Sequence, residues 1–309
     1  MIEAQNLRKT YKKKVAVDDI SFTVETGKVT GFLGPNGAGK STTMRLMLGL
    51  DNGHGRTTFD GKPLHSYKQP SQMVGILLEA KAFHPTRTAR NHLKVLAAAG
   101  GVPDSRVDEA LDIVGLKDVA KKRPGKFSLG MSQRLGIAAA LLGRPKYLIL
   151  DEPANGLDPE GIAWLREFLK DYADQGNAVF VSSHLLSEMS QMADNVIVIG
   201  KGKLIASASI SDILSGSKSS NVFVRVEKLV ELEKLFKQKS FTFEKAENGL
   251  RVSGVKTDEI GKLAFQAGLP VLELANHAAS LEEAFLELTE GSEEYQAHVD
   301  AKKKEETKS

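Results

Sequence analysis

Residues 34–41 read GPNGAGKS, a full G-x-x-x-x-G-K-[ST] pattern that follows an apolar run, KVTGFLG (28–34), and opens a helical pattern. That arrangement suits phosphate binding. Glycines let backbone N–H groups turn inward around phosphate oxygens. The N-terminus of the following helix adds a partial positive charge. Lys40 is spaced to reach the β- and γ-phosphates, and the Ser41 hydroxyl to sit on Mg²⁺. A second apolar run, YLILDEP (147–153), ends in two acids. Asp151 there suits a Mg²⁺ ligand, direct or through water, and Glu152 is placed to polarise an attacking water. A third run, VFVSSH (179–184), ends in His184, on the same sheet edge as Asp151, where an imidazole could contact a γ-phosphate. FSLGMSQR (127–134) sets Ser128 and Gly130 ahead of a helix predicted to start near Ser132, and NGLD (155–158) ends in Asp158. The chemistry these parts suit is phosphoryl transfer from a nucleoside triphosphate.

The elements that must position them alternate through the first two thirds of the chain. KVTGFLG, KYLILDE (146–152), NAVFVSSH (177–184) and NVIVIGKGKLIA (195–206) read as strands. Gly39–Leu50, Val107–Val114, Ser132–Leu142, Pro159–Gln175 and Leu185–Met192 read as helices. Such alternation predicts an α/β fold, a mainly parallel sheet covered by helices. Five of the eleven residues in SDILSGSKSSN (211–221) are serine, which predicts a linker. Beyond it the order is β-α-β-β-α-β, with a hairpin turning at Asn248-Gly249 and a closing helix in SLEEAFLELTE. That order suggests a small ferredoxin-like domain. The expected division is 1–216, 217–290 and a charged, disordered tail at 291–309.

Composition excludes several classes. Of 309 residues, 41% are hydrophobic and 26% charged, ordinary for a globular chain, and the net charge of +3 gives no nucleic-acid footprint. There is no cysteine, so disulfides and thiolate metal sites are excluded. The longest nearly apolar run, LGIAAALLG (135–143), is about half the ~18 residues a membrane span needs. The opening MIEAQNLRKTYKKK has no apolar core of a secretory signal. A membrane role is therefore expected only through a partner.

The order of phosphate cradle, Ser-x-Gly turn, acidic pair, Gly-Leu-Asp loop and Ser-His resembles the ATP-binding-cassette (ABC) ATPase family over residues 2–215. FSLGM stands at the family's signature, usually written LSGGQ, with Leu129 and Met131 replacing glycine and glutamine. Glu79, in GILLEAKAFHP (75–85), stands where the family usually carries a metal-touching, partner-sensing glutamine. A carboxylate there binds Mg²⁺ more strongly than an amide oxygen. Both departures, and SLEEAFLELT, look like the bacitracin-resistance and multidrug-export branch.

The resemblance implies a P-loop NTPase cassette with a mixed sheet and a helical subdomain. It implies that Gly34, Pro35, Asn36, Gly37, Ala38, Gly39, Lys40, Ser41 and Thr42 hold ATP, that Tyr11 stacks on adenine, and that Ser41, Glu79 and Asp151 face Mg²⁺. Glu152, His184 and Lys40 would be catalytic. Ser128 and Gly130 would complete the ATP site of a second subunit, most simply an identical one, and Asp158 would be a further nucleotide-binding residue. A separately encoded transmembrane permease would be the other partner, with no nucleic acid, and the subunit would sit on the cytoplasmic face of the membrane. The competing expectation is a soluble ABC ATPase acting on nucleic acid or ribosomes, but such relatives carry paired cassettes or long coiled coils. A third is a clamp that binds ATP and barely turns over, which the intact Glu152 and His184 oppose.

Overall fold

The computed structural model describes residues 1–184, 186–217, 220–277 and 279–289. The charged tail expected at 291–309, and Leu185 at the head of one predicted helix, lie outside the described residues. A three-stranded antiparallel sheet is ordered β2-β1-β4, from β1 (Ile2–Tyr11), β2 (Lys14–Val24) and β4 (His54–Phe59). The main sheet runs β5-β6-β7-β3-β8-β9. Its strands are β3 (Lys28–Leu33), β5 (Val74–Leu77), β6 (Tyr147–Leu150), β7 (Ala178–Ser182), β8 (Asn195–Gly200) and β9 (Lys203–Ser209). All its pairings are parallel except β8 with β9. β6 and β7 are buried at every position, as strands covered on both faces must be, and they read as unbroken apolar runs for that reason.

NVIVIGKGKLIA, expected as one strand, is a hairpin. Gly200 pairs with Lys203 across a two-residue turn in which Lys201 (φ 47°) and Gly202 (φ 77°) are both left-handed. Two positive φ values are what a tight β-hairpin requires.

Helices close both faces. The helix α1 (Lys40–Met47) follows β3, and α2 (Pro70–Met73) precedes β5. A helical subdomain holds α3 (Ala89–Ala99), α4 (Ser105–Ile113) and α5 (Leu129–Leu141). After β6 come α6 (Pro159–Asp174), α7 (Leu186–Met192) and α8 (Ile210–Gly216). One core lies between these helices and the main sheet, and a second between the main sheet, α1 and the small sheet. In the second, the Phe22, Phe32 and Phe180 rings pack together with centroids 4.9–5.9 Å apart.

The expected linker is partly helix. Ser209 caps α8, its hydroxyl accepting the Asp212 N–H at 3.1 Å. Beyond it, β10 (Asn221–Val226), α9 (Leu229–Gln238), β11 (Thr242–Ala246), β12 (Gly249–Ser253), α10 (Thr257–Gln266) and β13 (Val271–His277) form a separate antiparallel sheet, β11-β12-β10-β13, with its own core. The hairpin turns at Glu247-Asn248, one residue earlier than expected, since Ala246 pairs with Gly249. Gly249 serves a close approach instead: a Cβ there would lie 2.5 Å from the Val224 carbonyl oxygen.

The last helix, α11 (Leu281–Thr289), lies within the expected 217–290 segment but returns to the cassette. It packs on α7, α8 and β9, and its Leu281 is buried in the cassette core. The small domain is thus an insertion between α8 and a helix that returns to the cassette.

Candidate nucleotide site

The cradle is built by two glycines at which the backbone is left-handed, Gly37 (φ 82°) and Gly39 (φ 107°). A Cβ on Gly39 would lie 2.5 Å from the Ala16 carbonyl oxygen, so the loop lies against β2 more closely than any other residue allows. Gly34 and Ala38 are buried beneath it. Tyr11, Pro35, Asn36, Gly37, Gly39, Lys40, Ser41, Thr42, Asp151 and Glu152 line one open groove of about 410 Å³. Ser41 and Asp151 also line an adjoining cavity with Glu79. Among the described residues no cluster of three or more acids and histidines forms a cation cage. The donor set of a hydroxyl and two carboxylates fits Mg²⁺ held jointly with phosphate oxygens, the usual way Mg²⁺ is bound at nucleotides.

Lys40 is buried, and its Nζ donates to the Gly34 carbonyl at 2.6 Å and lies 4.0 Å from Glu152 Oε1. Burial pushes its pKa below the ordinary lysine value, against the opposing pull of Glu152 and Asp151. An incoming phosphate would bring a further, closer anionic partner to this buried ammonium.

Glu152 is tied from several directions. Its Oε2 lies 2.6 Å from His184 Nδ1, and its N–H donates to Ser182 Oγ at 2.9 Å. Gln133 Nε2 donates to its carbonyl oxygen at 2.9 Å. Ser182 in turn donates to Asp151 Oδ1, so one hydroxyl at the end of β7 orients both acids. Tyr11 is half-exposed, and its hydroxyl donates to Asp51, which Arg45 of α1 grips with two bonds of 3.1 and 3.2 Å. The Lys9 ammonium lies 4.8 Å from the Tyr11 ring centroid.

Ser128, Gly130 and Asp158 are placed apart from this groove. Ser128 caps α5, accepting the Met131 N–H at 3.2 Å, and the helix begins at Leu129 rather than near Ser132. Gly130 lies in its first turn. Asp158 caps α6, accepting the Gly161 N–H at 2.9 Å. Sequence reasoning missed Ser182, Gln133, Asp51 and Arg45. The only available signals were the polar Ser182 ending an apolar strand and the Gln-Arg pair closing FSLGMSQR.

Two profiles match the chain: ABC transporter over residues 17–155 and a domain of unknown function over 220–282. An uncharacterised ABC transporter ATP-binding protein, YhcH of Bacillus subtilis, is 36% identical over 97% of this chain and 99% of its own length. The chain belongs to the ABC transporter ATP-binding proteins. It is an ATPase of that family and binds ATP. The bacitracin transport ATP-binding protein BcrA of Bacillus licheniformis is 36% identical, covering 94% of this chain and 98% of its own. Among solved structures, an ATP-binding subunit of an ABC transporter superposes with a TM-score of 0.64 at 24% identity, over 85% of this chain and 99% of that one. The cassette MJ0796, solved as a dimer with ADP and Pi, gives 0.60 at 21% identity, over 68% and 99%. These two show the shared fold.

Proposed function

We propose that this ATPase powers the export of a drug or peptide antibiotic through a separately encoded membrane permease, working as a head-to-tail homodimer at the cytoplasmic face. The observation that carries the export reading is the end-to-end likeness to a bacitracin transport protein, which spans the small domain as well as the cassette. No described helix is long and apolar enough to cross a membrane, and in this reading the permease provides the translocation path.

In this reading the N–H groups of the cradle and the α1 N-terminus hold the phosphates, with Lys40 between the β and γ positions. Tyr11, steadied by Asp51, stacks on the base. Ser41, Asp151 and Glu79 would hold Mg²⁺, which supplies charge neutralisation between the β- and γ-phosphates. Glu152 orients and deprotonates the attacking water. His184 faces the γ-phosphoryl group, and because Nδ1 is turned to Glu152, contact runs through Nε2. Ser128, exposed at the N-cap of α5, and Gly130 in its first turn close on the nucleotide of the second subunit, with Asp158 beside that contact.

Tagged Glu152→Gln protein recovered with ATP-Mg from gently solubilised native membranes tests the proposal. A polytopic membrane protein among its partners is expected. Ribosomal proteins or nucleic acid, with no membrane protein, would replace export by the soluble reading.

A further inference from the structure

The peptide of Glu152 is gripped at both ends by side chains of other elements. Its φ of 48° is left-handed, a conformation a glutamate does not hold unless its surroundings impose it. Ser182 takes the N–H and Gln133 supplies the donor to the carbonyl. Gln133 sits in α5, only 4% exposed, and its Oε1 has no hydrogen-bond partner among the described residues. A buried amide with one end unsatisfied is costly to keep, and the bond it does make is the one to Glu152.

The same helix is capped by Ser128, less than two turns away. Its first turn is locked onto the loop that follows Glu152. A Cβ on Gly130 would lie 2.8 Å from the Gly156 carbonyl oxygen, and one on Gly156 would lie 2.4 Å from Leu129 Cδ2. Helix and loop are therefore in close contact, with no room for a side chain at either glycine.

We propose that Gln133 is a positioning residue for hydrolysis: it holds the Glu152 peptide in its left-handed form and ties the aim of that carboxylate to the helix bearing Ser128 and Gly130. This rests on the reading of Glu152 as the group that activates water. Its consequence is that contact made at the start of α5 with one nucleotide is transmitted to the glutamate that serves the other.

Gln133→Leu, similar in volume, removes both the donor and the unsatisfied oxygen. ATPase kinetics, thermal unfolding and ATP-dependent dimerisation are measured for it, for Glu152→Gln and for the double variant. The expected result is kcat lower by ~10–100-fold, the scale of a small misplacement of a reacting group. KM should stay within about threefold and the melting temperature should not fall. The double variant should be no slower than Glu152→Gln alone, the mark of residues acting as one unit. A kcat within about twofold of wild type would overturn the proposal. So would an equal loss of kcat added on top of Glu152→Gln, or KM and melting temperature worsening along with kcat. If Gln133→Leu does not fold, Gln133→Met, which keeps the unbranched shape and removes the donor, is read against the same outcomes. Wild-type turnover by Glu152→Gln would instead bring down the reading of Glu152, and this inference with it.

Discussion

Replacing Gly39 by alanine separates the cost of a backbone conformation from the cost of a collision. Gly39 sits at φ 107°, well outside the small left-handed well open to residues with a Cβ. Strain of this kind costs about 1–3 kcal/mol. The added Cβ would also meet the Ala16 carbonyl at 2.5 Å, so cradle or β2 must give by most of an ångström. Forced displacement in a packed region costs a further 1–3 kcal/mol or so. The sum, about 2–6 kcal/mol, is a large share of the ~5–15 kcal/mol by which domains are stable. Gly49→Ala is the matched control: φ is 69°, and nothing lies within 4 Å of its added Cβ, so only a strain cost of about 1–2 kcal/mol applies. Urea unfolding of both variants, with equilibrium binding of a fluorescent ATP analogue, reads the difference. Gly39→Ala should be the less stable of the pair and lose nucleotide affinity at least tenfold, because the same shift turns the cradle N–H groups away. Equal destabilisation by the two substitutions would refute the close-approach argument, and undiminished binding would refute the assignment of this loop as the cradle.

Three further outcomes are expected. Leu281→Ala should cost about 2–4 kcal/mol, because the residue is buried in the cassette core, and urea unfolding of the whole chain measures it. His184→Ala should lower kcat by about 10²–10³-fold with ATP binding largely kept, in steady-state ATPase assays, as loss of one charge-stabilising group does. At Asp60 burial raises the carboxyl pKa, but hydrogen bonds from Lys146, the Met1 amino group and Tyr147 outweigh it and hold the carboxyl well below the ordinary range. A depressed acid stabilises above its unfolded pKa, ~4, and the benefit fades as pH falls through the folded value. The melting temperature of wild type should therefore exceed that of Asp60→Asn by a constant amount between about pH 5 and pH 7, with the gap narrowing toward pH 2.

What the sequence revealed and what it hid divide on physical grounds. The cradle, the acidic pair and the histidine stand where strands end, and each is announced by the apolar run before it. Ser182 and Gln133 act on Glu152 from 30 and 19 residues away, and neither a serine in a strand nor a glutamine in a helix carries a periodic signal. The hairpin at Lys201-Gly202 was hidden because its apolar residues continue through the turn. The start of α5 was placed three residues late because SLGMS lacks a helix-like apolar stripe, while Ser128 is an ordinary N-cap.

The return of α11 could not be read from local pattern at all, since an amphipathic helix shows that it packs and not against what. Its destination changes how the small domain relates to the site. It packs on α7, which starts two residues after His184, and on α8, and Ser217 donates to its Glu287 at 3.0 Å. Met189 of α7 is fully buried within 2.6 Å of where a Cβ on Gly31 of β3 would lie, so α7 has little room to shift independently of the sheet. Held between the sheet and α11, α7 follows closely on the histidine in the chain. The small domain is thus bracketed by two helices, α8 and α11, that pack on each other and on β9 of the cassette, and α11 also packs on the α7 that follows the histidine.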